Sequence, residues 1–143
     1  MTALILSALL VAASISIHYE TLRLTTIGAT DLGVRPRIRL WMMLAGAVTS
    51  HLIHIVLYAV AYLLLEYSFE VGAIEGPDSG PFNDAFYFSL VCYTTLGFGD
   101  VYPSGALRLL SGIEALNGLV MVTWTASMTY LHMERFWRMG AEE

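Results

Sequence analysis

Residues 94–100 read Thr94-Thr95-Leu96-Gly97-Phe98-Gly99-Asp100 and follow directly on the apolar, aromatic-rich run Phe82–Tyr93. An ordinary strand points successive carbonyls to opposite sides. Residues near the left-handed region, placed in between, turn them toward one axis, and glycine takes that region without a Cβ clash. Gly97 and Gly99, two apart, fit this pattern. Thr95 adds a hydroxyl oxygen below its own carbonyl. Leu96 and Phe98 then point away from the axis and pack the string from behind, and Asp100 puts a carboxylate at its end. Taken alone, Gly-x-Gly before an acid reads as a turn. An aromatic helix before it and a spanning helix after it argue for the column of oxygens.

The chain has 143 residues, of which 57% are hydrophobic and 13% charged, and its net charge is −5. Sparse, clustered charges that leave long apolar stretches are the composition of a single membrane domain, not of a soluble core. No basic patch offers a nucleic-acid surface. The one cysteine, Cys92, excludes an intrachain disulfide and lies in the apolar run, where a packed thiol is expected. No nucleophile–base pair or metal cluster points to an enzyme.

Ala3–Ile17 is an apolar run broken only by Ser7, Ser14 and Ser16, and continuation through His18 and Tyr19 gives a workable spanning length. A cleaved signal peptide is the rival reading, but it usually starts with positive charge, and no Arg precedes Arg23. Glu20–Ile38, with Gly28, Asp31, Gly33 and Pro36, reads as a helix end and a loop. Arg35, Arg37 and Arg39 precede the apolar stretch Leu40–Leu65, which at ~1.5 Å per residue spans about 39 Å and exceeds the ~30 Å hydrocarbon core. Tyr67–Pro81 is an acidic, turn-rich loop that includes Asp78. Phe82–Tyr93 is too short to span and has the length of a re-entrant helix, with Asn83 or Asp84 as its cap. Pro103 and Gly105 turn the chain into the apolar stretch Ala106–His132, and a polar tail with Arg135, Arg138, Glu142 and Glu143 follows. The seven basic residues are all Arg, and all but Arg108 lie in or beside the first loop or in the tail. The positive-inside rule makes that side cytoplasmic, with the N-terminus outside and Asp100 facing outward. Trp41 and Trp137 then both fall at the inner interface.

The stretch from Leu40 to Met133 resembles the two-helix pore domain of tetrameric potassium channels. Thr95-Leu96-Gly97-Phe98-Gly99 matches their TVGYG-type selectivity filter with Leu for Val and Phe for Tyr. The resemblance implies an all-α membrane protein: three transmembrane helices, a re-entrant pore helix and a filter loop, assembled as a homotetramer because four filters make one pore. It divides the chain into an N-terminal helix with its cytoplasmic loop (1–37) and a pore domain (38–143). The latter comprises an outer helix (38–66), pore helix (82–93), filter (94–100), inner helix (104–133) and short tail.

The implied function is passive, potassium-selective conduction, with a non-conducting membrane scaffold or a weakly selective cation channel as alternatives. Carbonyls of Thr95, Leu96, Gly97 and Phe98, and the Thr95 hydroxyl, would hold K⁺; Gly99 completes the filter, Thr94 sits at its base and Asp100 at its outer mouth. No organic cofactor is implied. Phe98, lacking a hydroxyl, cannot bond the pore helix, so apolar packing and a more easily deformed filter are expected. Where some pore helices place a carboxylate against the filter Asp, this chain has Val91, and Tyr87 is the expected donor to Asp100. Gly112 and Gly118 are candidate hinges of the inner helix, or points of close helix packing. Asn117 and Thr123 are candidates to line the cavity, or to bond between helices. Ala3–Ile17 carries no charge and is not a voltage sensor. The residues after His132 are too few for a cytoplasmic ligand domain.

Polar groups at membrane depth are functional candidates. Glu114 and His54 fall at similar depths counted from the outer helix ends. A Glu114–His54 pair behind the filter is one expectation; a protonated Glu114, or one bonded to local hydroxyls or backbone, is the other. His51 and His54, at i and i+3, share a face and invite a metal reading, but two ligands are few for a transition metal, and His18 and His132 are distant in sequence.

Overall fold

The computed structural model describes residues 2–77 and 80–140, the side chains of Thr2, Thr30, Pro36 and 135–140 excepted. The elements in chain order are α1 (Thr2–Asp31), α2 (Pro36–Leu63) with a π-helical turn at Leu64–Ser68, β1 (Ile74–Glu75), α3 (Pro81–Tyr93), β2 (Tyr102–Pro103) and α4 (Leu107–Gly140). The stretches Ala3–Ala29, Arg37–Ser68 and Leu107–Glu134 are long and apolar enough to cross a membrane. The 13 residues of α3 rise only about 20 Å and are not. The chain is therefore an all-α, multi-pass membrane protein with one short helix between its last two spans.

Several boundaries depart from the sequence expectation. The first helix does not end near Tyr19 but runs to Asp31. Its polar residues are satisfied along the helix itself: Glu20 pairs with Arg23 at 3.0 Å, and the hydroxyls of Thr21, Thr25 and Thr26 donate to carbonyls one turn back. The expected long loop shrinks to Leu32–Arg35, closed by donation from Arg39 Nε to the Val34 carbonyl at 2.9 Å. Asn83 and Asp84 lie inside α3 rather than at its N-cap position. Gly80, at φ 101°, holds the cap position, Pro81 opens the helix and Asp84 lies in its first turn. The last helix starts at Leu107 rather than 104 and passes 133 to reach Gly140, since no Gly or Pro interrupts residues 119–139. Trp41 is 74% exposed. The side chains of Trp137, Arg135 and Arg138 lie outside the described residues, as do Asp78, Glu142 and Glu143.

Helix α1 packs against α2 and α4, and α3 is wedged between α2 and α4. The main core joins Tyr58, Tyr62 and Leu65 of α2 to Ala85 and Phe88 of α3 and to Leu107 and Leu110 of α4, with Leu10 of α1. Tyr62 meets Phe88 edge-on at 5.0 Å between ring centroids. On the side of the α2–α3 connection, β1 and β2 form a short antiparallel ladder, Ile74 opposite Pro103 and Glu75 opposite Tyr102. Backbone bonds from Ser104 to Ala73 and from Ala106 to Val71, each 2.8 Å, extend it. The segment after residue 100 is thereby tied to the loop before α3.

Gly118 is where α4 touches the end of α3. A Cβ there would collide with the backbone of Tyr93, whereas one on Gly112 meets nothing within 4 Å. The Gly118 reading as close packing follows from that contact. Gly118→Ala should destabilise the protein by about 1–3 kcal/mol, the usual cost of overpacking. Gly112→Ala should be neutral or slightly stabilising, and thermal melting of the two purified variants compares them directly.

Candidate ion-conduction site

The C-terminal end of α3 hands the chain to residues 94–100 through backbone bonds. Thr94 N donates to the Leu90 carbonyl (3.1 Å), Thr95 N to Cys92 (2.9 Å) and Leu96 N to Val91 (3.0 Å). The Thr94 hydroxyl also donates to Leu90 O at 2.7 Å. Beyond that point Thr95, Gly97 and Gly99 have φ of 58°, 55° and 80°, while Leu96 and Phe98 between them stay outside the positive region. This is the one-in-two alternation that lets consecutive carbonyls face one side. Gly97 and Gly99 adopt it freely; Thr95, β-branched, does so at a cost of roughly 1–2 kcal/mol. The sequence marked the two glycines for this conformation but not the threonine. Leu96 and Phe98 are 58% and 66% exposed, so within one chain most of each side chain is uncovered.

At the far end, Tyr87 donates its hydroxyl to Asp100 Oδ2 at 2.8 Å, and Asp100 Oδ1 accepts from Val101 N at 3.1 Å. Tyr87 and Asp100 line a recess together with Pro77, Asn83, Asp84 and Val101. The bond to Asp100 holds the Tyr87 phenol above its ordinary value of 10.0.

Behind α3, Glu114 is fully buried, but it is not paired with His54. Its two oxygens accept from Tyr62 OH and Ser89 Oγ, each at 2.5 Å. The Ser89 hydroxyl also lies 2.8 Å from the Ile55 carbonyl. Hydroxyls on α2 and α3 reach the carboxyl first, leaving His54 to other partners. Asn117 is only 5% exposed within the chain, and its Nδ2, the Tyr58 hydroxyl and the Ser14 hydroxyl are buried without a hydrogen-bond partner among the described residues. An amide at membrane depth gains more from polar neighbours than from lipid. Thr123 is exposed on α4 and donates to the Leu119 carbonyl at 2.7 Å.

His54 belongs to a closed ring that the sequence reading did not assemble. Ser50 Oγ lies 3.1 Å from His18 Nδ1; His18 Nε2 lies 3.1 Å from Thr125 Oγ1; Thr125 Oγ1 lies 3.0 Å from His51 Nε2. His51 Nδ1 and His54 Nδ1 each lie 2.9 Å from Tyr93 OH, and His54 Nε2 returns to Ser50 Oγ at 3.4 Å. Three imidazoles alternate with three hydroxyls. With every imidazole neutral, three N–H and three O–H groups supply one proton to each of the six contacts. The ring joins all four helices and includes the residue just before Thr94. The signal for it was present in the chain, as isolated His, Ser and Thr residues inside apolar helices, but Glu114 was matched to His54 by depth alone.

This fold, a short helix and an irregular glycine-bearing segment held between two long apolar helices, defines an ion-channel pore module. Residues 50–133 match the family described as ion channels, and the chain belongs to that family. It is 33% identical over 97 residues to an inward rectifier potassium channel of Paramagnetospirillum magnetotacticum, covering 66% of this chain and 31% of that protein. It is also 32% identical over 68 residues to two-pore potassium channel 4 of Arabidopsis thaliana, covering 47% and 24%. The chain thus spans about a third or less of the length of these curated relatives. No solved structure matches it significantly.

Two outcomes follow from these contacts. Because the Tyr87 phenol is raised in the folded state, its bond to Asp100 is intact below the ordinary tyrosine pKa and is lost as pH climbs through the raised value. Ultraviolet titration of tyrosinate should show one fewer late-ionising group in Tyr87→Phe than in the wild type. Glu114→Ala should leave the Tyr62 hydroxyl buried and unpaired, costing about 1–3 kcal/mol beyond the cavity, while Glu114→Gln keeps an acceptor and loses less. Thermal melting in detergent ranks the pair.

Proposed function

We propose that this chain is the subunit of a homotetrameric channel that passes K⁺ selectively and passively through a filter of residues 94–100. The observation that carries the reading is the alternation of left-handed backbone at Thr95, Gly97 and Gly99, at the end of a helix too short to cross the bilayer. Carbonyls of Thr95, Leu96, Gly97 and Phe98, with the Thr95 hydroxyl, replace the ion's water shell. Gly99 completes the string, Thr94 anchors its base, and Asp100, held by Tyr87, marks its outer mouth. The C-terminal end of α3 directs its partial negative charge to the filter base, which favours a cation there.

Fourfold assembly accounts for the apolar surface of the single chain. Leu96 and Phe98 are bare, as are Leu109, Leu116, Leu119 and Val120 on α4. Irregular backbone at membrane depth is stable only when protein or a water-filled path surrounds it, and neighbouring subunits supply that protein. The resemblance to named potassium channels supports K⁺ as the cargo. Arginine asymmetry supports an outside N-terminus and a cytoplasmic C-terminus in a cell membrane, with Glu66, Glu70, Glu75, Asp84 and Asp100 gathered on the outer side, where they concentrate cations.

Flux from protein-loaded liposomes under K⁺ or Na⁺ gradients tests the reading. K⁺-selective flux, blocked by Ba²⁺ and abolished by Gly97→Ala, is expected. Equal K⁺ and Na⁺ flux would overturn selectivity, and a correctly assembled tetramer that passes neither ion under any gradient or pH would favour a scaffold.

A further inference from the structure

Outside the conduction path, the histidine cluster offers a second chemistry. His18 of α1 and His51 and His54 of α2 each present one nitrogen within 4.8 Å of the other two. Their ring centroids are 5.1 Å apart for His18–His51, 5.7 Å for His18–His54 and 6.2 Å for His51–His54. Three imidazoles on one tetrahedral ion, with metal–nitrogen bonds of ~2.0–2.1 Å, have centroids roughly 5 Å apart. The observed triangle is already at that spacing on one edge and about 1 Å wider on the others. A bound ion would draw the rings together by that amount.

The surroundings suit an ion as well. Each imidazole touches two of the hydroxyls of Ser50, Tyr93 and Thr125. If one nitrogen of each ring binds metal, the other can still donate its N–H to a hydroxyl, and an N–H acceptor of this kind orients and strengthens a histidine ligand. An all-imidazole set selects Zn²⁺, Co²⁺, Ni²⁺ or Cu²⁺ over Mg²⁺ and Ca²⁺, which need oxygen. His18 and His54 are fully buried and His51 is half-buried, so the ligands are fixed by packing.

We infer that His18, His51 and His54 form a three-histidine site for one divalent transition-metal ion per chain, with a fourth position open, clamping α1 to α2 beside Tyr93.

Tag-free protein, stripped with chelator and titrated with Co²⁺ in detergent, tests this inference independently of conduction. The visible bands of tetrahedral cobalt should saturate at one equivalent per chain and be displaced by Zn²⁺. They should vanish in His18→Gln and persist in His132→Gln and Cys92→Ser. His18→Cys should keep them and add a thiolate-to-cobalt charge-transfer band, which a purely structural role for His18 does not give. A wild-type titration without tetrahedral bands would overturn the site and leave the ring as a hydrogen-bonded tie. So would bands that survive His18→Gln. If His18→Gln does not fold, the wild type and His18→Cys decide.

Discussion

The molecule turns on one short stretch of non-helical backbone, residues 94–100, carried at the end of a helix too short to cross a membrane. Beyond Leu96 the backbone has no helical ladder to hold it, so its two ends must be tied to the rest of the chain. The chain meets that constraint from the base upward. Helix α3 ends in backbone bonds that run into Thr94, Thr95 and Leu96, and its last residue, Tyr93, is gripped by two histidines of α2 and by the bare backbone contact of Gly118. At the other end, Tyr87 holds Asp100, and the β1–β2 ladder ties the next residues to the loop before α3.

The supports differ in kind, and the difference is physical. On the side of the α2–α3 connection the ties are a phenol–carboxylate bond and a two-rung ladder near the surface, where exchange with solvent is cheap. In the interior they are networks of largely buried side chains. Glu114 with Tyr62 and Ser89 forms one; the ring of three imidazoles and three hydroxyls forms the other. Low local dielectric makes such networks strong when complete and costly when one member is lost. They join the short helix to its neighbours by polar bonds, which lipid tails, as apolar as leucine, do not outcompete.

Much of this was legible from the residues. Three apolar stretches, one short aromatic run and two glycines at the right spacing carry the architecture, because length against bilayer thickness and the absence of a Cβ are local properties. Less legible was anything decided by partners from elsewhere in the chain. Glu20 and Arg23 read as a helix end, yet they pair within the helix and extend it. Asn117 read equally as a cavity residue or as a bond between helices, and within the chain it is buried. Thr95 gave no sign of its positive φ, since threonine adopts it only where surroundings compel it. His18 stood 33 residues from His51 and looked unrelated, and only the antiparallel packing of α1 on α2 brings the two rings to 5.1 Å.

That antiparallel packing rests on a connection of just Leu32–Arg35. A link this short cannot reach around a neighbouring subunit, so α1 must dock on the α2 that follows it. The first two helices therefore constitute a helical hairpin of apolar spans, able to enter the bilayer as one unit.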